Sequence, residues 1–144
     1  MSKITEQIYI GNIFNAANKN WLEDHHITHI INATDIIPNF FPNDYKYLNL
    51  KLEDTPQQSL YEVLEPSYKF IYGALGNGGT VLVHCHAGMS RSVSIVIYFL
   101  MKLKKMTYIQ ALMYIRKHRP IAEPNQGFAR QLVSVSPEAK KIFA

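Results

Sequence analysis

One cysteine occurs in the chain, Cys85, and it stands in the stretch VLVHCHAGMSRS between His84 and His86. The run before it, Thr80 to Val83, is short and apolar, as suits a strand covered on both faces. The run after it, Ser92 to Leu103, is apolar nearly all round and reads as a buried helix. Cys85 therefore sits where a strand ends, and Arg91 sits where a helix begins, with five residues between them. A tight loop between them, with Gly88 open to backbone conformations closed to other residues, turns successive N–H groups toward one point. The helix start adds free N–H groups and the positive end of its dipole. Arg91 adds a planar fork that matches two oxygens of a phosphoryl group.

Such a cradle favours any anion, and the first it meets is the sulfur of Cys85. A cysteine at a helix N-terminus near cationic groups drops from a pKa of about 8.5 to roughly 3.5 to 7.5, which makes it a nucleophile at neutral pH. Ser92 is placed to donate a hydroxyl hydrogen bond to that sulfur, and His84 to orient the loop. The competing reading of Cys85 is a small buried hydrophobe. Metal binding by His84, Cys85 and His86 fits poorly, because adjacent residues point apart and no second cysteine completes a site. His25, His26 and His29 read as helix-end and loop residues rather than ligands.

The rest of the chain must position this loop. Gln7 to Ile10 alternates as a strand, and Asn18 or Asn20 caps a helix through Trp21 and Leu22 that ends near His25 and His26. Ile27 to Ile31 and Lys46 to Leu52 read as further strands around a proline-rich loop at residues 35–45. Ser59 to Leu75 is helical in pattern, with a break expected at Pro66. Thr107 and Gln110 form a capping box for a helix carrying Tyr108, Leu112 and Ile115. Asn125 caps another through Phe128 and Leu132, and Pro137 to Ile142 reads as a last short helix. The fold class expected is α/β: one domain over residues 1–144, with a central, mostly parallel sheet flanked by helices and a phosphate-binding loop between a buried strand and a buried helix.

Length and composition agree with one compact domain. The chain has 144 residues, of which 47% are hydrophobic and 18% charged, a globular balance. A lone cysteine excludes a disulfide within the chain and fits a reducing compartment. No secretory signal is visible at the start, and the longest apolar run, Ile95 to Met101, falls far short of the ~20 residues that span a bilayer. The expectation is a cytoplasmic protein, with the nucleus as the alternative, and no membrane partner. Fifteen Lys and Arg against eleven Asp and Glu leave a modest surplus. Its clusters, at Lys102, Lys104 and Lys105 and at Arg116, Lys117 and Arg119, read as solvated helix faces rather than a nucleic-acid footprint.

The segment His84-Cys85-His86-Ala87-Gly88-Met89-Ser90-Arg91-Ser92 resembles the H-C-x-x-G-x-x-R-S/T signature of the cysteine-dependent protein phosphatases, and in its HCxAGxSRS form the dual-specificity branch. IYIGN, ITHIINAT, YLNLKLED and ALMYIRKHRPIAEPNQGF extend the resemblance to the single-domain atypical members over nearly the whole chain. The resemblance implies that Cys85 attacks phosphorus and forms a phosphocysteine. It implies that the loop His86, Ala87, Gly88, Met89, Ser90 and Arg91 holds the phosphoryl oxygens, with His86 and Met89 shaping the rim. Asp54, in KLEDTPQQ, takes the general-acid position. Read from the residues alone it is a turn residue, and Glu53 stands beside it. Ser92 assists departure of the sulfur. Asn125, a helix cap on its own pattern, matches a position that braces the phosphate loop.

The implied substrates are phosphorylated proteins, handled by a monomer without metal or cofactor. The same fold also serves RNA 5'-phosphatases and phosphoinositide phosphatases. A phosphoinositide enzyme would carry lysines in the loop, where positions 86, 87 and 89 are His, Ala and Met. A non-catalytic phosphate-binding module is the reading from a different class, but Cys85, Arg91 and Asp54 are all present.

Overall fold

The computed structural model describes residues 1–137. The expected last helix, Pro137 to Ile142, lies outside them apart from its first residue. In chain order the elements are β1 (Ser2–Thr5), β2 (Ile8–Gly11), α1 (Ile13–Ala16), α2 (Lys19–Asp24), β3 (His29–Thr34), β4 (Lys46–Leu52), α3 (Tyr61–Gly76), β5 (Val81–His84), α4 (Arg91–Lys104), α5 (Tyr108–His118) and α6 (Gln126–Ser134). The described strands form one five-stranded sheet in the order β1-β2-β5-β3-β4. β1 runs antiparallel to β2, and every other pair is parallel. The sheet is thus mostly parallel with helices packed on it, as expected.

β5 lies at the centre, and its side chains alternate between two cores. Val81 and Val83 join the large core with α3, α4, α5 and α6, while Leu82 points the other way, to Leu22 of α2 and Ile30 of β3. All three are fully buried, each contributing about 1.5–3 kcal/mol relative to an exposed side chain. His84 pairs in register with Gly11 of β2 and Asn32 of β3, so three parallel strands end side by side. The chain leaves the sheet at Cys85, over the carboxyl ends of the strands, where open α/β sheets place their ligand sites. No helix among the described residues is long and apolar enough to cross a membrane.

Several elements differ from the sequence expectation for physical reasons. α1 has four residues, too few for periodicity to reveal, and is held by reciprocal caps between Asn12 and Asn15. β3 lies later than expected and includes two polar buried residues. Asn32 Oδ1 accepts from the Thr34 N–H and hydroxyl, and its Nδ2 donates to the Ile37 carbonyl and Asn39 Oδ1, so the pair is satisfied locally. α3 runs through Pro66 without a break. Pro66 lies on the exposed side of the helix, four residues after the equally exposed Glu62, whose carbonyl it cannot bond. Of the basic clusters, Lys102, Lys104 and Lys105 are exposed, as read, with Lys102 pairing with Glu65 of α3 at the surface, whereas Arg119 in the second cluster is buried.

Candidate active site

The loop from Cys85 to Ser90 is built by its carbonyls. The His86 carbonyl accepts from the Ile13 N–H at 3.0 Å, Met89 from the Glu123 N–H at 2.8 Å, and Ser90 from the Ser94 N–H at 2.9 Å. Between them, the Gly88 carbonyl accepts from Arg119 Nε at 2.7 Å and Ala87 from Arg119 Nη2 at 3.3 Å. The peptide unit is planar and trans, so a carbonyl drawn outward turns the following N–H the opposite way. Gly88 makes the bend possible: its φ is +70°, and a Cβ there would come within 2.8 Å of the Gly11 carbonyl.

The sulfur lies at the focus of this loop. Cys85 Sγ accepts from the Gly88 N–H at 3.2 Å and lies 3.2 Å from Ser92 Oγ. Cys85 is 3% exposed, so its sulfur is recessed at the lining of a cavity rather than freely exposed. His84 beneath it is buried, with Nδ1 3.5 Å from the Cys85 carbonyl, at the outer limit of a hydrogen bond. Burial pushes its imidazole down to about 4, and the nearby Arg91 charge acts the same way against the contact with the Cys85 carbonyl. At neutral pH His84 is therefore uncharged.

Arg91 opens α4. Its Nη1 donates to the Leu52 carbonyl at 2.9 Å and lies 3.4 Å from Asp35 Oδ1, which fixes the fork from the β3 and β4 ends. Its Nε is buried and has no hydrogen-bond partner among the described residues, which marks it as a donor for an incoming oxygen. From the sequence, Asp35 is only the first residue of the loop at 35–45.

Asp54 lines the same cavity as this fork. The cavity, about 610 Å³, is lined by Cys85, His86, Ala87, Met89, Ser90 and Arg91 of the loop, and by Asp54, Pro56, Glu123, Pro124, Asn125 and Gln126. Glu53, the neighbouring carboxylate, does not line it. Asn125 connects the two walls. Its side-chain oxygen caps α6 through the Phe128 N–H, its Nδ2 donates to Asp54 Oδ1, and its N–H donates to Ser90 Oγ, each at 2.9 Å. The segment around Asp54 is further strapped to α6. Gln131 accepts from the Leu60 N–H at 2.6 Å and donates to the Gln58 carbonyl at 2.9 Å. A Cβ on Gly127 would run into the Pro56 backbone.

The structure thus brings Cys85, Arg91, Asp54 and Asn125 together around one cavity, with Ser92 buried against the sulfur, His84 preceding it in the buried strand and Gly88 at the bend. Sequence reasoning missed Arg119, Asp35, Gly127 and Gln131. A buried arginine three residues before the start of the AEPNQGF run carries no local signal, and the other three act only through tertiary contact.

Residues 8–137 match the family described as dual specificity phosphatase, catalytic domain. Protein phosphatase Slingshot of Drosophila melanogaster is 37% identical over 135 residues, covering 94% of this chain and 13% of that protein. Dual specificity protein phosphatase 1 of Arabidopsis thaliana is 40% identical over 131 residues, covering 91% of this chain and 66% of that protein. The chain therefore spans less than two thirds of the length of either relative. The crystal structure of DUSP15 superposes with a TM-score of 0.91 at 33% identity, covering 99% of this chain and 90% of that one. This chain belongs to the dual-specificity phosphatase catalytic-domain family.

Proposed function

We propose that this chain hydrolyses phosphotyrosine and phosphoserine or phosphothreonine in proteins through a phosphocysteine intermediate, with residues 1–144 acting as one catalytic domain. The observation that carries the reading is the focus of donors on Cys85 Sγ, in a cavity that Asp54 also lines.

Cys85 Sγ attacks phosphorus in line, and the bond from phosphorus to the leaving oxygen breaks. Asp54, protonated, passes its proton to that oxygen. The inward N–H groups of residues 86–91 and the Arg91 fork hold the three non-bridging oxygens as charge spreads over them. In the second step the Asp54 carboxylate takes a proton from water, whose oxygen attacks phosphorus. The sulfur–phosphorus bond breaks, Ser92 donates a hydrogen bond to the departing thiolate, and inorganic phosphate leaves. The positive charge this chemistry needs comes from Arg91 and backbone amides, so the reading calls on no metal or cofactor.

The cavity wall favours a single phosphate on a peptide. Arg91 is its one Lys or Arg among the described residues, while Asp54 and Glu123 bring carboxylates. A polyphosphate end or a multiply phosphorylated inositol would meet those carboxylates with its additional charge. We further place the protein in the cytoplasm, with the nucleus as the alternative, as a monomer without a nucleic-acid partner.

Steady-state hydrolysis of a phosphopeptide panel beside triphosphorylated RNA tests the reading. Turnover of the peptides, abolished by Cys85→Ser, is expected. Preference for the RNA would replace the substrate class, and full activity of Cys85→Ser would overturn the mechanism.

A further inference from the structure

Three of the five carbonyls that shape the phosphate loop are held by backbone amides, and the middle two, Ala87 and Gly88, are held by one side chain, Arg119. That side chain follows α5 and is 7% exposed. Its third nitrogen, Nη1, donates to Ser2 Oγ at 3.0 Å. Among the described residues it has no carboxylate partner within ion-pair distance. A buried guanidinium bonded only to neutral oxygens is costly unless an anion compensates it. The anion-binding face of the loop lies on the far side of the two peptide groups it holds.

We propose that Arg119 is a positioning residue for the phosphate loop: by drawing the Ala87 and Gly88 carbonyls outward it aims the Gly88 and Met89 N–H groups at Cys85 Sγ and at the phosphoryl oxygens. This deepens the phosphatase reading and rests on it. The Gly88 N–H is seen to reach the sulfur, on the opposite side of the same peptide unit that Arg119 Nη2 grips. The absent side chain of Gly88 leaves room for the guanidinium, since a Cβ there would strike Arg119 Nη2. Burial pushes the Arg119 guanidinium below its ordinary value, and the Cys85 sulfur acts in the opposite direction.

The test compares wild type with Arg119→Met, which keeps length and apolar bulk, and Arg119→Lys, which keeps charge without the fork. Two quantities are read. One is kcat/KM on a phosphotyrosine peptide. The other is protection of Cys85 by inorganic phosphate against iodoacetate, followed across pH. The other titratable or charged groups near Cys85 are His84, His86, Arg91, Asp54 and Glu123, and neither variant substitutes any of them. Arg119→Met is expected to weaken phosphate protection and kcat/KM together by about 10- to 100-fold, the size of one or two charge-assisted hydrogen bonds. Arg119→Lys should fall between. A folded Arg119→Met with wild-type protection and wild-type kcat/KM overturns the proposal. Where Arg119→Met does not fold, Arg119→Lys decides on the same two measurements, and unchanged values overturn it. Wild type that is protected by phosphate but hydrolyses nothing would sink the phosphatase reading while leaving the role of Arg119 open to the protection measurement.

Discussion

Asn125 Nδ2 donates to Asp54 Oδ1 at 2.9 Å, while the N–H of the same residue donates to Ser90 Oγ at 2.9 Å. One residue therefore sets the distance between the proposed general acid and the phosphate loop. It also caps α6, and the two duties separate by substitution. Asn125→Asp keeps a competent cap, since Asp and Asn are comparable there, but places a carboxylate against Asp54. We expect a melting temperature close to wild type and kcat/KM lower by about 5- to 30-fold, the worth of one side-chain hydrogen bond of 1–2 kcal/mol. Asn125→Ala should lose both, with about 1 kcal/mol of stability gone as well. Thermal melts beside phosphopeptide kinetics check this. Unchanged activity in Asn125→Asp would leave Asn125 as a cap alone.

The chemistry of the loop was legible because it is local. Cys85, Gly88, Arg91 and Ser92 lie within eight residues, between a short apolar strand that is wholly buried and a helix that is mostly buried. The caps at Thr107 and Asn125 were legible for the same reason. What lay beyond reach was anything whose meaning comes from a distant partner. Arg119 sits in a basic run that looks like a solvated face, and only the fold carries it 31 residues back to Gly88. Gly127 reads as an ordinary helix-start glycine until Pro56 is seen against it. β1 is an edge strand whose partner is chosen by the fold rather than by its own short pattern.

His84 couples the core beneath the loop to pH. Its folded-state value is depressed from 6.5 to about 4, chiefly by burial. Unfolded, it binds a proton below about 6.5; folded, it resists one until about 4. Stability is therefore fully present above 6.5 and is lost as pH falls toward 4, by about 3 kcal/mol for this group at the lower limit. Urea unfolding at pH 7, 5.5 and 4.5 should show the decline, and His84→Gln should flatten the part of it that His84 contributes. A wild-type slope retained in a folded His84→Gln protein would remove His84 as its source.

Gly88→Ala probes the bend. The new methyl would need a φ near +70° and would press on the Gly11 carbonyl and Arg119 Nη2. The left-handed conformation alone costs roughly 1–2 kcal/mol for a residue with a Cβ, and relief requires the loop to open. We expect activity to fall below detection and stability to drop by about 2 kcal/mol or more. A folded Gly88→Ala protein that still hydrolyses phosphopeptide at the wild-type rate would mean that this geometry is not the one used in turnover.

Ser92 lies 3.2 Å from Cys85 Sγ inside the first turn of α4, fully buried, where its hydroxyl faces the sulfur. A donor there does little for attack, when the sulfur gives up charge to phosphorus, and more for departure, when charge returns to the sulfur. Ser92→Ala should therefore spare formation of the phosphocysteine and slow its hydrolysis. Loss of a hydrogen bond to a charged group, about 1.5–3 kcal/mol, corresponds to roughly 10- to 150-fold in that step. Rapid mixing with an aryl phosphate should then show a burst of phenolate close to one equivalent, followed by a steady state slower than that of wild type. The fold should tolerate the change, because the removed hydroxyl leaves a methyl of nearly the same volume and Sγ keeps the Gly88 N–H. A Ser92→Ala protein with wild-type steady-state turnover and no burst would show that the departing sulfur needs nothing from this hydroxyl.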